Sequence, residues 1–171
     1  MSRELLLMRH AKSDWNHPSL IDFDRPLNKR GQASAPKVGH WLRSRNLLPD
    51  RVVSSPAVRT RQTASLVCAE LGFAIDNAHW DMRIYEATLA DLLTVLADNS
   101  GNANRMLLIG HNPGLEYLLA HLSSTTDSAA GSKLMPTATV AHLRLPDDWH
   151  KLPAGCGQLL VLQRPRELPC P

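Results

Sequence analysis

The residues of this chain with the strongest chemical content fall in three short groups. They are Arg9-His10, then Ser54-Ser55-Pro56 followed by Arg59, then His111 within Gly110-His111-Asn112-Pro113-Gly114. Each group follows a short apolar run that reads as a strand. Brought together, two arginines, two histidines and two helix N-termini make an anion site. Helix N-termini offer free N–H groups and a positive dipole end, and arginine supplies a permanently charged planar fork. Taken singly, each group has a plainer reading. An Arg-His pair after a strand is ordinarily a solvated strand end. Gly-His-Asn-Pro-Gly is ordinarily a turn whose Gly and Asn serve the backbone, and Arg59 alone is a surface helix residue. In open α/β sheets, however, ligands bind beyond the carboxyl ends of the strands, and all three groups occupy that position.

The elements that must position these groups alternate along the chain. Leu5–Met8, Arg51–Ser54 and Met106–Ile109 read as buried strands. Ser55-Pro56 reads as an N-cap with Pro in the first turn, opening a helix from about Ala57 to Leu71 that Gly72 stops. Thr88-Leu89-Ala90-Asp91 is a capping-box-like start for a helix to about Ala97, and Leu115–Leu122 is helical. Thr139–Leu145 and Gln158–Gln163 read as further strands. Pro36 and Gly39 interrupt the pattern over Lys29–Arg45, so helix is expected mainly in its second half. Ser123–Pro136 reads as a loop. Strand–helix alternation implies one α/β domain, with helices on both faces of a largely parallel sheet. The expected domain covers residues 1–163, and residues 164–171 form an extended surface tail.

Length and composition set the outer bounds. The 171 residues suit one domain with a real core, and 43% hydrophobic with 20% charged residues is ordinary for a globular protein. A formal charge of +3 is too small to argue for nucleic acid or a membrane surface. Apolar runs are far short of the ~20 residues of a membrane helix, and Met-Ser-Arg-Glu begins no secretory signal. Cys68, Cys156 and Cys170 are widely spaced and form no Cys-x-x-Cys pair. A cytoplasmic setting follows as the expectation. The eight histidines show neither His-x-x-x-His nor His-Glu-x-x-His spacing, so no metal site is expected.

The segments Leu7-Met8-Arg9-His10-Ala11-Lys12-Ser13-Asp14-Trp15-Asn16, Ser54-Ser55-Pro56-Ala57-Val58-Arg59-Thr60-Arg61-Gln62-Thr63-Ala64 and Ile109-Gly110-His111-Asn112-Pro113 resemble the signatures of the histidine phosphatase (phosphoglycerate-mutase-like) superfamily. The Arg-His-Ala-Lys-Ser start and the short chain resemble its SixA-type phosphohistidine phosphatase branch. The resemblance implies a single three-layer αβα domain without a cap subdomain. It implies His10 as a nucleophile that forms a phosphohistidine, Arg9 and Arg59 as a clamp on the phosphoryl oxygens, and His111 as a further donor. It places Asn16 where relatives contact phosphate and Glu86 near a carboxylate proton donor. Ala11 departs from the family's usual Gly, which puts substrate detail in question more than activity.

These residue types suit phosphoryl transfer. The transferring group spreads charge over three equatorial oxygens, and fixed cationic donors stabilise that charge. No cofactor is implied, because the arginines supply the positive charge. His10 needs an acceptor for its other ring nitrogen, for which a backbone carbonyl would serve. Glu86 also has a helix-dipole reading beside Thr88. Arg25 is placed equally well at the pocket rim and in a surface pair with Asp22 or Asp24. Thr137 is a weaker rim candidate, Arg61 is expected in solvent, and Trp15 and Trp41 are expected to pack. The expected substrate is phosphohistidine on a protein, met by a monomer. A small phosphorylated metabolite is the alternative, and a non-catalytic binder of phosphorylated ligands the third reading.

Overall fold

A computed structural model describes residues 2–124 and 134–169. Within them, β1 (Arg3–Arg9), β2 (Arg51–Ser54), β3 (His79–Trp80), β4 (Arg105–Gly110), β5 (Val140–Leu145) and β6 (Gln158–Gln163) form one sheet in the order β3-β2-β4-β1-β5-β6. β1 to β4 pair in parallel. β5 is antiparallel to both of its neighbours, so it alone runs against the rest. The sheet is therefore mixed and mostly parallel, as expected, and the α/β class holds.

Alternation along the buried strands feeds two cores. Leu5, Leu7, Met106 and Leu108 face one side, where α3 (Leu89–Ser100) and α4 (Gly114–Ser123) cover them. Leu6, Met8, Leu107 and Ile109 face the other, beneath α1 (Lys29–Ser44) and α2 (Val58–Leu71). Strands buried on both faces are continuous apolar runs, which is why β1 and β4 were readable. The result is three layers. Between α2 and β4 the chain forms only short turns, β3 and α3, so the described residues include no cap over the strand ends.

Three local expectations need correction. The first concerns α1, which is helical from Lys29, with Pro36 inside it. Asn28 caps it by accepting the Gly31 amide at 2.9 Å, and Ala35, Val38, Trp41 and Leu42 bury its inner face. That burial offsets the interior proline, which costs a helix ~3 kcal/mol. Gly39 is there for contact, because a Cβ would approach Val67 O to 3.0 Å and Glu70 Cβ to 2.8 Å on α2. The second concerns α2, whose N-cap is Ala57 rather than Ser55. Ser55 lies two residues earlier, and its hydroxyl is committed to another partner, described below. The third concerns the tail. Pro165–Glu167 makes a 3-10 turn, and Leu168 packs on the α1–α2 core, so this stretch is not simply extended. Gly72 (φ 70°) and the Thr88–Asp91 capping box are as read. Most of the Ser123–Pro136 loop lies outside the described residues, as does Cys170.

Candidate active site

Beyond the carboxyl ends of β1, β2 and β4 lies a cavity of about 770 Å³. Arg9, His10, Arg25, Arg59, Glu86 and His111 all line it. The end of β1 is held from both sides. The His10 amide donates to Gly110 O on β4 at 3.0 Å, and the His10 carbonyl accepts from the Ala138 amide at 3.0 Å. The chain then turns away beneath α1. The turn is close enough that a side chain at Gly31 would collide with the Lys12 carbonyl. The Ala11 amide donates to Thr63 Oγ1 on α2 at 3.0 Å. The Ala11 methyl is fully buried in the α1–α2 core. The turn thus accommodates alanine where the family usually has glycine.

His10 has one defined tautomer. Its Nδ1 lies 2.7 Å from the Ala11 carbonyl oxygen, which can only accept. Nδ1 therefore carries the hydrogen, and Nε2 keeps a free lone pair. Burial, reinforced by the positive charges of Arg59, Arg9 and Arg25, pushes the pKa of His10 down to about 3, against the opposing Ala11 hydrogen bond. The ring is neutral throughout the physiological range, as a nucleophile requires.

His111 sits opposite, its ring centroid 5.3 Å from that of His10. Its Nε2 is 2.8 Å from Ser55 Oγ, which is fully buried. Ser55 Oγ also accepts the Ala57 amide at 3.3 Å, so its own hydrogen is free to go to Nε2. His111 then carries its proton on Nδ1. Burial first, then His10 and the arginines, push the His111 pKa down to about 3, with Asp22 opposing. His111 Nδ1, Arg9 Nε and Arg59 Nε are buried and have no partner. Three residues of one cavity thus each keep a donor unspent. Unsatisfied buried donors cost ~1–3 kcal/mol each.

Asp22 is the site residue that the sequence did not single out. Its carboxylate accepts from Arg25 at 2.6 Å, Arg59 at 3.0 Å and the Tyr85 hydroxyl at 2.7 Å, and its carbonyl accepts from Arg59 at 2.7 Å. Burial would raise its pKa, but the Arg25, Tyr85 and Arg59 donors outweigh that and hold the carboxyl well below the usual carboxylate range. Burial and the bond to Asp22 push the Tyr85 phenol up to about 12. The Tyr85 ring meets His111 edge-on at 5.4 Å and Phe23 at 5.1 Å. No sequence spacing links positions 22, 59 and 85. Only the fold brings them together.

The remaining candidates divide. Arg25 lines the cavity and pairs with Asp22. It also bonds Ser13 and stacks 3.7 Å over the Trp15 ring. Trp15 is 74% exposed at the cavity, not packed as expected, whereas Trp41 is buried. Glu86 lines the cavity mouth, exposed and in a left-handed conformation (φ 54°) just before the Thr88 cap. Gly114 lets this loop approach, since a Cβ there would lie 2.8 Å from Ala87 O. Thr137 lines the cavity too. Asn16 is exposed and not among the lining residues, because its amide closes a turn onto Asp14 Oδ1 at 2.8 Å and carries it outward. Arg61 lies on the surface, 4.5 Å over the Trp80 ring. Cys68 is buried, its thiol pushed up to about 11 by that burial, and is no nucleophile. Among the described residues no three His, Cys, Asp or Glu side chains group as a metal site, and no helix is long and apolar enough to cross a membrane.

Known proteins match along the same segments. Residues 5–87 match the model of the histidine phosphatase superfamily, branch 1. An uncharacterized Mycobacterium tuberculosis protein is 34% identical over 164 residues, covering 93% of this chain and all of that one. An uncharacterized chloroplastic Arabidopsis thaliana protein is 37% identical over 134 residues, 74% of this chain but only 62% of that longer relative. A Nakamurella structure, assigned as the phosphohistidine phosphatase SixA, superposes with a TM-score of 0.77 at 30% identity, covering 96% of this chain and 97% of that one. A mycobacterial glucosyl-3-phosphoglycerate phosphatase shares the fold alone, with a TM-score of 0.66 at 17% identity, over 94% and 98% of the two chains. Identity of this order along whole chains of matching length reflects descent, and the chain belongs to the histidine phosphatase superfamily as a phosphatase of SixA-like architecture.

Proposed function

We propose that the protein is a metal-independent phosphatase that works through a phosphohistidine on His10 and removes phosphate from phosphohistidine in proteins. The observation that carries the reading is the His10 tautomer, with a buried lone pair on Nε2 in an arginine-lined cavity. In the first step Nε2 attacks phosphorus and the bond to the leaving group breaks. Arg9 and Arg59 hold the phosphoryl oxygens, with Arg25 at the rim and the His111 Nδ1 hydrogen on a third oxygen. Nδ1–H stays on the Ala11 carbonyl, so phosphorylated His10 is an imidazolium and departs readily. In the second step water attacks phosphorus, the Nε2–P bond breaks with its electron pair returning to Nε2, and phosphate leaves with the protons of the water, so neutral His10 returns.

The choice of a phosphoramidate rests on proton supply. An alkyl ester leaves as a strongly basic alkoxide and needs an acid in the transition state. Around this cavity the histidines are neutral, Asp22 is held ionised, and the Tyr85 proton is committed to Asp22. Glu86, exposed at the mouth, and the Lys12 ammonium are the donors that remain among the lining residues. A phosphoimidazole already protonated on its far nitrogen makes no such demand, because it leaves as neutral imidazole. The second reading, a phosphomonoesterase on a small metabolite, is favoured by that same Glu86. A non-catalytic binder would have no use for the oriented lone pair on His10. A panel of a phosphohistidine protein, phosphoimidazole, sugar phosphates, nucleotides and an aryl phosphate tests the assignment. The two phosphoramidates should show the highest kcat/KM. A sugar phosphate or nucleotide that exceeds them would replace this reading with the second.

A further inference from the structure

A carboxylate inside a phosphate-binding cavity is unexpected, since it repels the dianion that three arginines are there to attract. We propose that Asp22 is a specificity-determining residue whose carboxylate accepts the N–H of the leaving imidazole and so selects phosphoramidates over phosphate esters. This rests on the phosphohistidine reading above and names the group that recognises the leaving side of the substrate.

The chemistry turns on one proton. A phosphorylated imidazole has phosphorus on one nitrogen and either a lone pair or a hydrogen on the other. With the lone pair, cleavage of the P–N bond expels an imidazolate, a strong base. With the hydrogen, the ring is cationic, and the same cleavage leaves the bonding electron pair on nitrogen and releases neutral imidazole. His10 Nε2 meanwhile forms the new P–N bond. No external proton or metal enters the balance. An opposite charge within hydrogen-bonding distance favours the cationic ring, commonly by 1–3 pKa units.

The geometry supplies an acceptor for that hydrogen. A carboxylate has about four lone-pair sites. Arg25 takes one on Oδ1, and Arg59 and Tyr85 take those on Oδ2. One site on Oδ1 stays open, on a side chain 49% exposed at the cavity wall. Arg25, Arg59 and Tyr85 face it and hold it ionised, and His111 faces it from the same cavity as a neutral ring. The enzyme's own half of the reaction has the same form, with His10 Nδ1–H on an acceptor, the Ala11 carbonyl. Nucleophile and leaving group are then the same chemical species, each with its far nitrogen hydrogen-bonded. An ester oxygen has no such hydrogen and meets only repulsion at Asp22.

The test compares phosphoimidazole with an aryl phosphate in the wild-type protein and in Asp22→Asn. The ratio of kcat/KM for phosphoimidazole over aryl phosphate should fall ~10–100-fold in Asp22→Asn. The basic limb of the phosphoimidazole pH profile should move about one unit lower, because the bound ring loses its proton more easily without the carboxylate. Asp22→Glu should restore part of that limb. In the wild-type protein alone, the limb should stand at least about one unit above the pKa of free phosphoimidazole, a readout that needs no variant. Equal losses on both substrates with an unmoved limb would mean that Asp22 only positions the arginines, and would overturn the proposal. A wild-type protein that cleaves aryl phosphate but not phosphoimidazole would instead overturn the phosphohistidine reading beneath it.

Discussion

Acidification should destabilise this protein through His10 and His111 before its carboxylates titrate. Both rings are buried and neutral, with pKa values pushed from 6.5 down to about 3. In the unfolded chain both titrate near 6.5. The unfolded state therefore binds more protons as pH falls below 6.5, and folding stability drops. The stability is fully present above about pH 6.5 and is lost progressively down to about pH 3, where the folded rings protonate in turn. At pH 5.5 the folded value no longer matters, because both native rings are still unprotonated. The loss is then set by the unfolded pKa alone, about 1.4 kcal/mol per ring and roughly 2–3 kcal/mol for the pair. For a domain of this size 1 kcal/mol shifts Tm by about 2–4 °C, so Tm should fall roughly 5–10 °C between pH 7.5 and 5.5. Asp22 and Glu4 have lowered pKa values and do not compete in this window. Thermal melts of the wild-type protein, His10→Asn and His111→Gln at both pH values test the argument, because histidines left unchanged cancel between proteins. Each variant should lose about half of the drop. A wild-type Tm that does not respond to pH, or the same drop in all three proteins, would refute the burial of two neutral rings in one cavity.

Four further outcomes are expected. His10→Ala should fold but neither turn over substrate nor take up acid-labile phosphate, and equal labelling of variant and wild type would remove the nucleophile assignment. Arg59→Ala should slow turnover ~10²–10³-fold, by analogy with lost oxyanion donors, and Arg61→Ala should change it little, so comparable losses would show the clamp to be misplaced. Glu86→Gln should slow alkyl phosphate hydrolysis ~10²–10⁴-fold if Glu86 donates a proton, while barely touching aryl phosphate and phosphoimidazole; uniform slowing would point to a structural role beside the Thr88 cap. Ser55→Ala removes the partner of His111 Nε2 and should cost ~1–3 kcal/mol of stability in thermal or urea unfolding, with a change in the ¹⁵N shifts of the His111 ring; unchanged shifts would mean that Ser55 does not set the tautomer.

How much of this was legible in the sequence depended on how far apart the interacting residues lie. β1, β2 and β4 could be read because strands buried on both faces are unbroken apolar runs, and such runs fix where Arg9-His10, Ser55 and His111 emerge. Helix stops and starts at Gly72 and Thr88 are local events and were equally plain. The α1 reading failed because Pro36 and Gly39 look like breaks unless the neighbouring helix is known. Gly39 answers to Val67 and Glu70, and no pattern within residues 29–45 reveals that contact. Ser55 failed in the opposite direction. Ser-Pro before a helix is a strong local capping signal, but the hydroxyl went to His111, whose ring arrives from β4.

The site shows the same division between what the strands carry and what the loops bring. The strand ends deliver the groups proposed to hold and attack a phosphoryl group, and they stand in recognisable motifs because each is tied to a turn or a helix start. Asp22, Arg25, Tyr85, Trp15 and Glu86 reach the cavity from the loop after β1 and the turn before α3, and their partners are fixed only in the folded chain. In the proposed reaction the phosphoryl group is met chiefly by Arg9, His10 and His111 at the strand ends and by Arg59 at the start of α2. What distinguishes one leaving group from another must come from the loop-borne set, since those are the residues that meet the far side of the substrate. This is why the phosphatase could be read from the sequence while the residues that meet the leaving group could not. It is also why the carboxylate of Asp22, bonded at once to Arg25, Arg59 and Tyr85, is the position proposed to set specificity without touching the nucleophile.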